Sequence, residues 1–300
     1  MHTAPPTPSP RVATLFGLLL LITALPTGAQ SAWTMEVGAD VTHLARLELQ
    51  TAEVEPVAAI DVRVVGAMTR GPSGDLFLLG AATLGEPSST LYRLDPVSFE
   101  LEEIGPLDLP NTPFVRDMTA LPDGRLLMSA QVGVPVGLYL IDPETAEASL
   151  VAETEGPILT LATLGNRVFA TFRTLDDEYG LYAVDPETAV LTFLHPLPGD
   201  LFGLTNAMAE GLDGRLYLSN EVLPPTLPPI LYRVTSSIDP STGAAELLTN
   251  SAFLITPSLR GLTLIDDNLA VAVPVGSPVG RVVLLTLLLV SGLAAIRHRL

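Results

Sequence analysis

GLYLIDPETAEASL, residues 137–150, is the stretch on which the reading of the chain turns. Apolar and polar residues alternate up to Ile141, the alternation breaks at Asp142-Pro143-Glu144-Thr145, and it resumes towards Leu150. A period of two marks a strand with unlike faces. Asp-Pro marks a turn, because the Asp side chain bonds the turn backbone and Pro fixes φ. The stretch therefore predicts strand, turn, strand. It returns as LYRLDPVSFEL at 91–101, as LYAVDPETAVL at 181–191, and as LYRV followed by DPSTGAAEL from 231. A worn copy, LARLELQTAEV, occupies 44–54. Leu44, Leu91, Leu138, Leu181 and Leu231 form one column, spaced by 47, 47, 43 and 50 residues, with Tyr92, Tyr139, Tyr182 and Tyr232 beside the last four.

A second phrase interleaves with the first. MTRGPSGDLFLLG starts at 68, MTALPDGRLLMSA at 118 and MAEGLDGRLYLSN at 208, with looser copies at 160 and 262. Ser-Gly, Asp-Gly and Gly-Asn between alternating runs are hairpin signals, since Gly and Asn accept the positive φ of tight turns. Five hairpins of each kind give four strands per repeat of about 45 residues, the pattern of a propeller blade. The expectation is an all-β, five-bladed β-propeller whose N- and C-terminal half-blades join to close the ring. The segment 32–41 has room for one further strand, and a sixth blade would need two from it. With strands lettered A to D, the Gly and Asp-Pro turns share one face. The connections on the other face vary from blade to blade, and function is expected there.

The two ends read differently from the middle. Arg11 is followed by an apolar run, Val12–Leu25, and then by PTGAQS, with small residues at 27 and 29. This predicts a signal peptide over 1–29, with an N-terminal signal helix, and a propeller domain over 30–273. From Val282 to Ile296 there is no charge, and Arg297-His298-Arg299 follows, so 274–300 is expected to be a sorting signal or transmembrane helix with its tail cytoplasmic. Pro274, Ser277, Pro278, Gly280, Gly292 and the basic end make this segment resemble bacterial C-terminal sorting signals of the Ile-Pro-Thr-Leu type, with Pro-Val-Gly where Pro-Thr-Leu is usual. That resemblance implies a secreted bacterial protein, held at the cell envelope and handled by an exosortase-like processing enzyme.

Net charge is −18, with 33 Asp and Glu, 15 Arg and no Lys. Phosphate neutralisation needs a basic surface, so nucleic acid is not an expected partner. The absence of Cys rules out thiolate catalysis, iron–sulfur clusters and Cys-ligated zinc. Of the His residues outside the end segments, His43 and His195 lie far apart and in no triad context, and no catalytic motif is present.

The turn residues Asp95, Asp142 and Asp185 are read as structural. Asp176, Asp177 and Glu178 form an acidic triplet in one loop, with Asn220 and Glu221 at the matching place of the next blade, and together they offer oxygen ligands suited to Ca²⁺. A solvated loop is the plainer reading. Arg116 and Arg260 occupy the same strand-A position in two blades and Asn206 in a third, a polar rim suited to a small anionic ligand, unless the guanidinium groups pair with acids such as Asp117. The loop VLPPTLPPILY, 222–232, is either a surface for an extracellular protein partner or a stiff connector. The expectation is a non-enzymatic ligand- or protein-binding module. PDGRLLMSA and EGLDGRLYLSNE also resemble the blade phrases of the gluconolactonase group, which implies as an alternative a metal-dependent hydrolase or lactonase with Glu, Asn and Asp ligands at the channel.

Overall fold

An antiparallel sheet that is apolar on both faces must be covered on both, and a closed ring of such sheets does this without leaving an open face. The computed structural model of the chain describes residues 30–265 apart from 39–40, 63, 82–89, 110–113, 132–135, 157, 175–177, 199–203, 223–230 and 254–257. Three strands come first: β1 (Ser31–Val37), β2 (Thr42–Glu48) and β3 (Val54–Ile60). The first full blade is β4 (Val64–Arg70), β5 (Leu76–Ala81), β6 (Thr90–Leu94) and β7 (Leu101–Pro106). The second is β8 (Phe114–Ala120), β9 (Leu126–Gln131), β10 (Val136–Ile141) and β11 (Ala148–Thr154). The third is β12 (Ile158–Leu164), β13 (Arg167–Arg173), β14 (Tyr179–Val184) and β15 (Leu191–Pro196). The fourth is β16 (Leu204–Glu210), β17 (Leu216–Val222), β18 (Leu231–Ile238) and β19 (Ala245–Phe253). β20 (Ser258–Leu264) then pairs with β1, completing a fifth sheet in the order β20-β1-β2-β3.

The chain is a five-bladed β-propeller, closed within one blade as the repeats predict. The division is one strand with three rather than two with two. β1 takes the second position, pairing Ala32 with Leu264 and Met35 with Arg260. Its fit explains the difference: Ala32 and Met35 are wholly buried, Ile265 N–H donates to the Ser31 carbonyl at 2.9 Å, and Thr34 Oγ1 donates to the Gly261 carbonyl at 2.9 Å. The second strand expected after 262 lies outside the described residues, as do the segments 1–29 and 274–300.

The inner strands β4, β8, β12, β16 and β20 each touch the next, and β20 returns to β4. Each of the five gaps between blades holds its own buried apolar cluster. Between the first two blades, Phe77, Leu79 and Leu91 meet Met118, Leu126 and Met128. Across the closure, Met35 and Leu44 meet Met68, Leu78 and Tyr92. Burying one such side chain is worth about 1.5–3 kcal/mol.

All five Asp-Pro-type turns share one geometry, the worn copy included. The N–H of Glu48, Asp95, Asp142, Asp185 or Asp239 bonds the carbonyl five residues on, and a positive φ follows at Ala52, Phe99, Ala146, Ala189 or Gly243. The Asp carboxylates accept turn N–H groups, for instance Asp95 from Val97 at 2.7 Å and Asp142 from Glu144 at 2.8 Å, which is the structural role expected of them. In the fourth blade the repeat is displaced. The bulge that follows Leu91, Leu138 and Leu181 follows Thr235, so Thr235 rather than Leu231 belongs to that column.

Gly261 shows how tight the seam is. Its φ is +66°, and a Cβ there would stand 2.3 Å from Met68 Cβ and 2.8 Å from the Met68 nitrogen. Positive-φ strain and overpacking each cost about 1–3 kcal/mol. Gly261→Ala is therefore expected to destabilise the ring by ~3 kcal/mol or more, read as a fall in the urea midpoint. An unchanged midpoint would show that the closure does not depend on this contact.

Candidate site: the axial channel and its two mouths

Each inner strand carries a bulge near its start, where one extra residue re-aims the backbone. The register shifts across Val65/Ala67, Val115/Asp117, Ile158/Thr160 and Thr205/Ala207, and between Arg260 and Thr263 on β20. Arg116 and Asn206 are themselves extra residues. Arg260 is not, since it still pairs with Met35, so the expected equivalence with Arg116 is off by one residue. The two arginines nevertheless serve one mouth. Desolvation, and after it the charge of Arg260, lowers the Arg116 pKa. The guanidinium of Arg116 lies 4.7 Å from the ring centroid of Phe114, an exposed aromatic at the start of β8.

Asp117 does not neutralise Arg116. Its side chain turns inward and is 1 % exposed. Oδ1 accepts the Met118 N–H and Oδ2 the Leu161 N–H, both at 2.9 Å, and the Met208 N–H adds a third bond. These donors sit on β8, β12 and β16, so the carboxyl reaches past the neighbouring strand into the interior of the ring. Burial pushes it up to about 8, against the pull of the three N–H donors towards the ionised form.

Beyond Asp117 the channel opens at the Gly-turn face as a funnel of about 280 Å³ with walls from all five inner strands. Thr69, Thr119, Thr163 and Thr263 line it, together with Ala162, Ala209 and Leu262, while Arg70 and Glu210 stand among its outer lining residues. Thr119 Oγ1 donates to Thr163 Oγ1 at 3.0 Å, and the Ala120 N–H donates to Thr69 Oγ1 at 3.1 Å. Glu210 is held above the usual carboxylate range by desolvation, while the Gly165 N–H bonded to it pulls the other way. The sequence carried a signal for this ring, since Thr69, Thr119 and Thr263 each follow a residue of the Met column. Loop variability points instead to the opposite face.

The proposed calcium ligands fare differently from one another. Asp176 and Asp177 lie outside the described residues, as does the side chain of Glu221. Glu178 is exposed, with its N–H bonded to Thr174 Oγ1 at 3.2 Å. Asn220 is not a loop residue but wholly buried within β17, between Thr205 and Val234 on the flanking strands. Among the described residues no three His or carboxylate side chains gather to hold a metal ion. His43 sits in the closing blade, 4.0 Å from Glu36, and His195 in the third blade, against Gly243. The 222–232 loop lies largely outside the described residues.

No family model matches the chain, and no curated protein matches it. Solved structures do. A chain of a nidogen–laminin complex aligns with a TM-score of 0.50 at 13% identity, over 78% of this chain and 98% of that one. TolB from Acinetobacter baumannii aligns with a TM-score of 0.48 at 13% identity over 79% of this chain, which spans about half (54%) of the TolB chain. The periplasmic gluconolactonase of Pseudomonas aeruginosa aligns with a TM-score of 0.43 at 16% identity, over 74% of this chain and 82% of that one. These likenesses are of fold.

Asp117 sets a pH dependence. Its folded pKa of about 8 exceeds the ordinary 3.8, so between those values the folded state holds the extra proton. Stability is then full below about pH 4, falls as pH rises, and levels off above about pH 8, with a slope of at most about 1.4 kcal/mol per pH unit. Asp95, Asp185 and Asp239, held below the usual carboxylate range by hydrogen bonds within their turns, act in the opposite sense and at lower pH. Asp117→Asn is expected to flatten the slope between pH 5 and 8 in denaturant titrations, and a slope as steep as in the parent would contradict the assignment.

Proposed function

We propose that this chain is an exported, envelope-tethered propeller acting as a non-enzymatic binding module, whose arginine mouth takes a small carboxylate-bearing ligand. One observation carries the reading. In a chain of net charge −18, the partly buried Arg116 has no carboxylate partner among the described residues, and it lies close enough to Arg260 for that charge to perturb it. An unpaired, desolvated guanidinium is costly unless something anionic visits it, and its planar fork matches a carboxylate.

Gln30 and Ile265 lie together at the Gly-turn face, where Leu49 N–H bonds the Gln30 carbonyl and Ile265 N–H bonds that of Ser31. A tether continuing from Ile265 would start from this face, opposite the arginine mouth.

Two measurements test these points. Succinate at constant ionic strength is expected to stabilise the full chain by about 2.7 kcal/mol at ~100 Kd, read as a raised melting temperature, where succinamide does not. Arg116→Met is expected to remove most of that gain, and equal responses to acid and amide would end the anion reading. Deletion of residues 274–300 is expected to move the protein from the membrane fraction to the medium, and continued retention would end the tether reading.

A further inference from the structure

The funnel on the Gly-turn face is chemically unlike the arginine mouth, and nothing said of that mouth explains it. A threonine hydroxyl has one proton to donate and two lone pairs to accept with. Thr119 spends its proton on Thr163. Thr69 accepts from the Ala120 N–H, and Thr163 accepts from Thr119, so the protons of both remain. The hydroxyl of Thr263, 8 % exposed and lining the funnel, makes no hydrogen bond among the described residues. Three hydroxyl protons, from β4, β12 and β20, thus have no acceptor among the described residues around one space.

Between the hydroxyls lie Ala162, Ala209 and Leu262, which give the walls apolar strips. Arg70 and Glu210 contribute one charge of each sign, Arg70 Nε donating to the Gly74 carbonyl at 3.3 Å. A carboxylate would gain at Arg70 and lose at Glu210, and a cation the reverse. A neutral ligand that presents oxygens in every direction, with C–H faces between them, uses hydroxyls, strips and both charges together. The volume of about 280 Å³ lies at the lower end for ligand pockets, which start near 300 Å³.

We propose that this funnel is a second ligand site, independent of the arginine mouth, for a small neutral polyol up to the size of one sugar ring. Thr69, Thr163 and Thr263 donate to its oxygens, and Glu210 accepts from its hydroxyls.

The chain supplies its own reporter. Its single tryptophan, Trp33, is the cross-strand partner of Thr263. The full chain is titrated with myo-inositol, glucose and glycerol, followed by Trp33 fluorescence and by calorimetry. Saturable binding of at least one polyol is expected. Thr163→Val and Thr263→Val, which keep the side-chain shape, are each expected to weaken it about five- to tenfold. Thr263→Ser, which restores the hydroxyl, is expected to return affinity to within about twofold, separating a lost hydrogen bond from a damaged fold. Succinate at a concentration that fills the arginine mouth is expected to leave polyol affinity unchanged, so that the two sites stand or fall separately. The proposal is overturned if none of the three polyols binds saturably, if glycine or succinate fills the funnel more tightly, or if the valine variants bind like the parent.

Discussion

The pairing of β20 with β1 is the one contact on which the rest of the molecule depends. Four of the five blades are continuous segments of chain, and only the fifth joins residues more than 200 apart, with Ala32 opposite Leu264 and Met35 opposite Arg260. A propeller gains stability face by face, each blade covering its neighbour. Opening the fifth blade would strip cover from two clusters at once: Met35 and Leu44 against Leu78 on one side, and Ala32 and Leu47 against Tyr217 on the other. The seam is made close and polar for this reason. Thr34 bonds a carbonyl of β20 across the closure, and Gly261 lets β20 lie directly on Met68.

Closure also creates the axis. Five inner strands that touch in a ring cannot direct large side chains at one another without leaving voids, and their bulges fill the centre with backbone donors instead. Asp117 is the acceptor that three of those donors share. Placing one carboxyl in a dry centre is tolerable because it satisfies N–H groups that would otherwise be buried without partners. On β8 the same carboxyl stands between Arg116 near the strand's start and Thr119, which lines the funnel at the other end.

Much of this was legible in the sequence. The Asp-Pro and Gly turns gave the blade count, because turn chemistry is local and repeats faithfully; even the worn copy at Glu48–Glu53 folds as its relatives do. What was not legible depends on partners distant in the chain. Whether Asp117 faces Arg116 or the N–H of Leu161 is decided by a strand 44 residues away. The claim of Ser31–Val37 on the second position of the closing blade rests on burial of Ala32 and Met35 against residues near the other end. The Leu231 column failed for a local reason: β18 extends further from its turn than its counterparts do, so matching letters stood at unmatched depths.

Departures from the repeat locate the chemistry. At the bulged position the blades carry Gly66, Arg116, Leu159 and Asn206, and one residue later Ala67, Asp117, Thr160 and Ala207. No packing rule asks for an arginine in one blade where its neighbours manage with glycine and leucine, so the second blade bears charges there that the scaffold does not need. Where local rules are broken without structural gain, a site is the usual reason. The threonine ring makes the complementary case. Counted from the bulge, Thr69 and Thr119 share one position, which the third and fourth blades fill with Ala162 and Ala209, while Thr163 stands one residue further along, at the position of Arg70, Ala120 and Glu210. One mouth is therefore specialised by a single exceptional blade, and the other by hydroxyls drawn from neighbouring positions of the repeat with the small Ala162 and Ala209 between them.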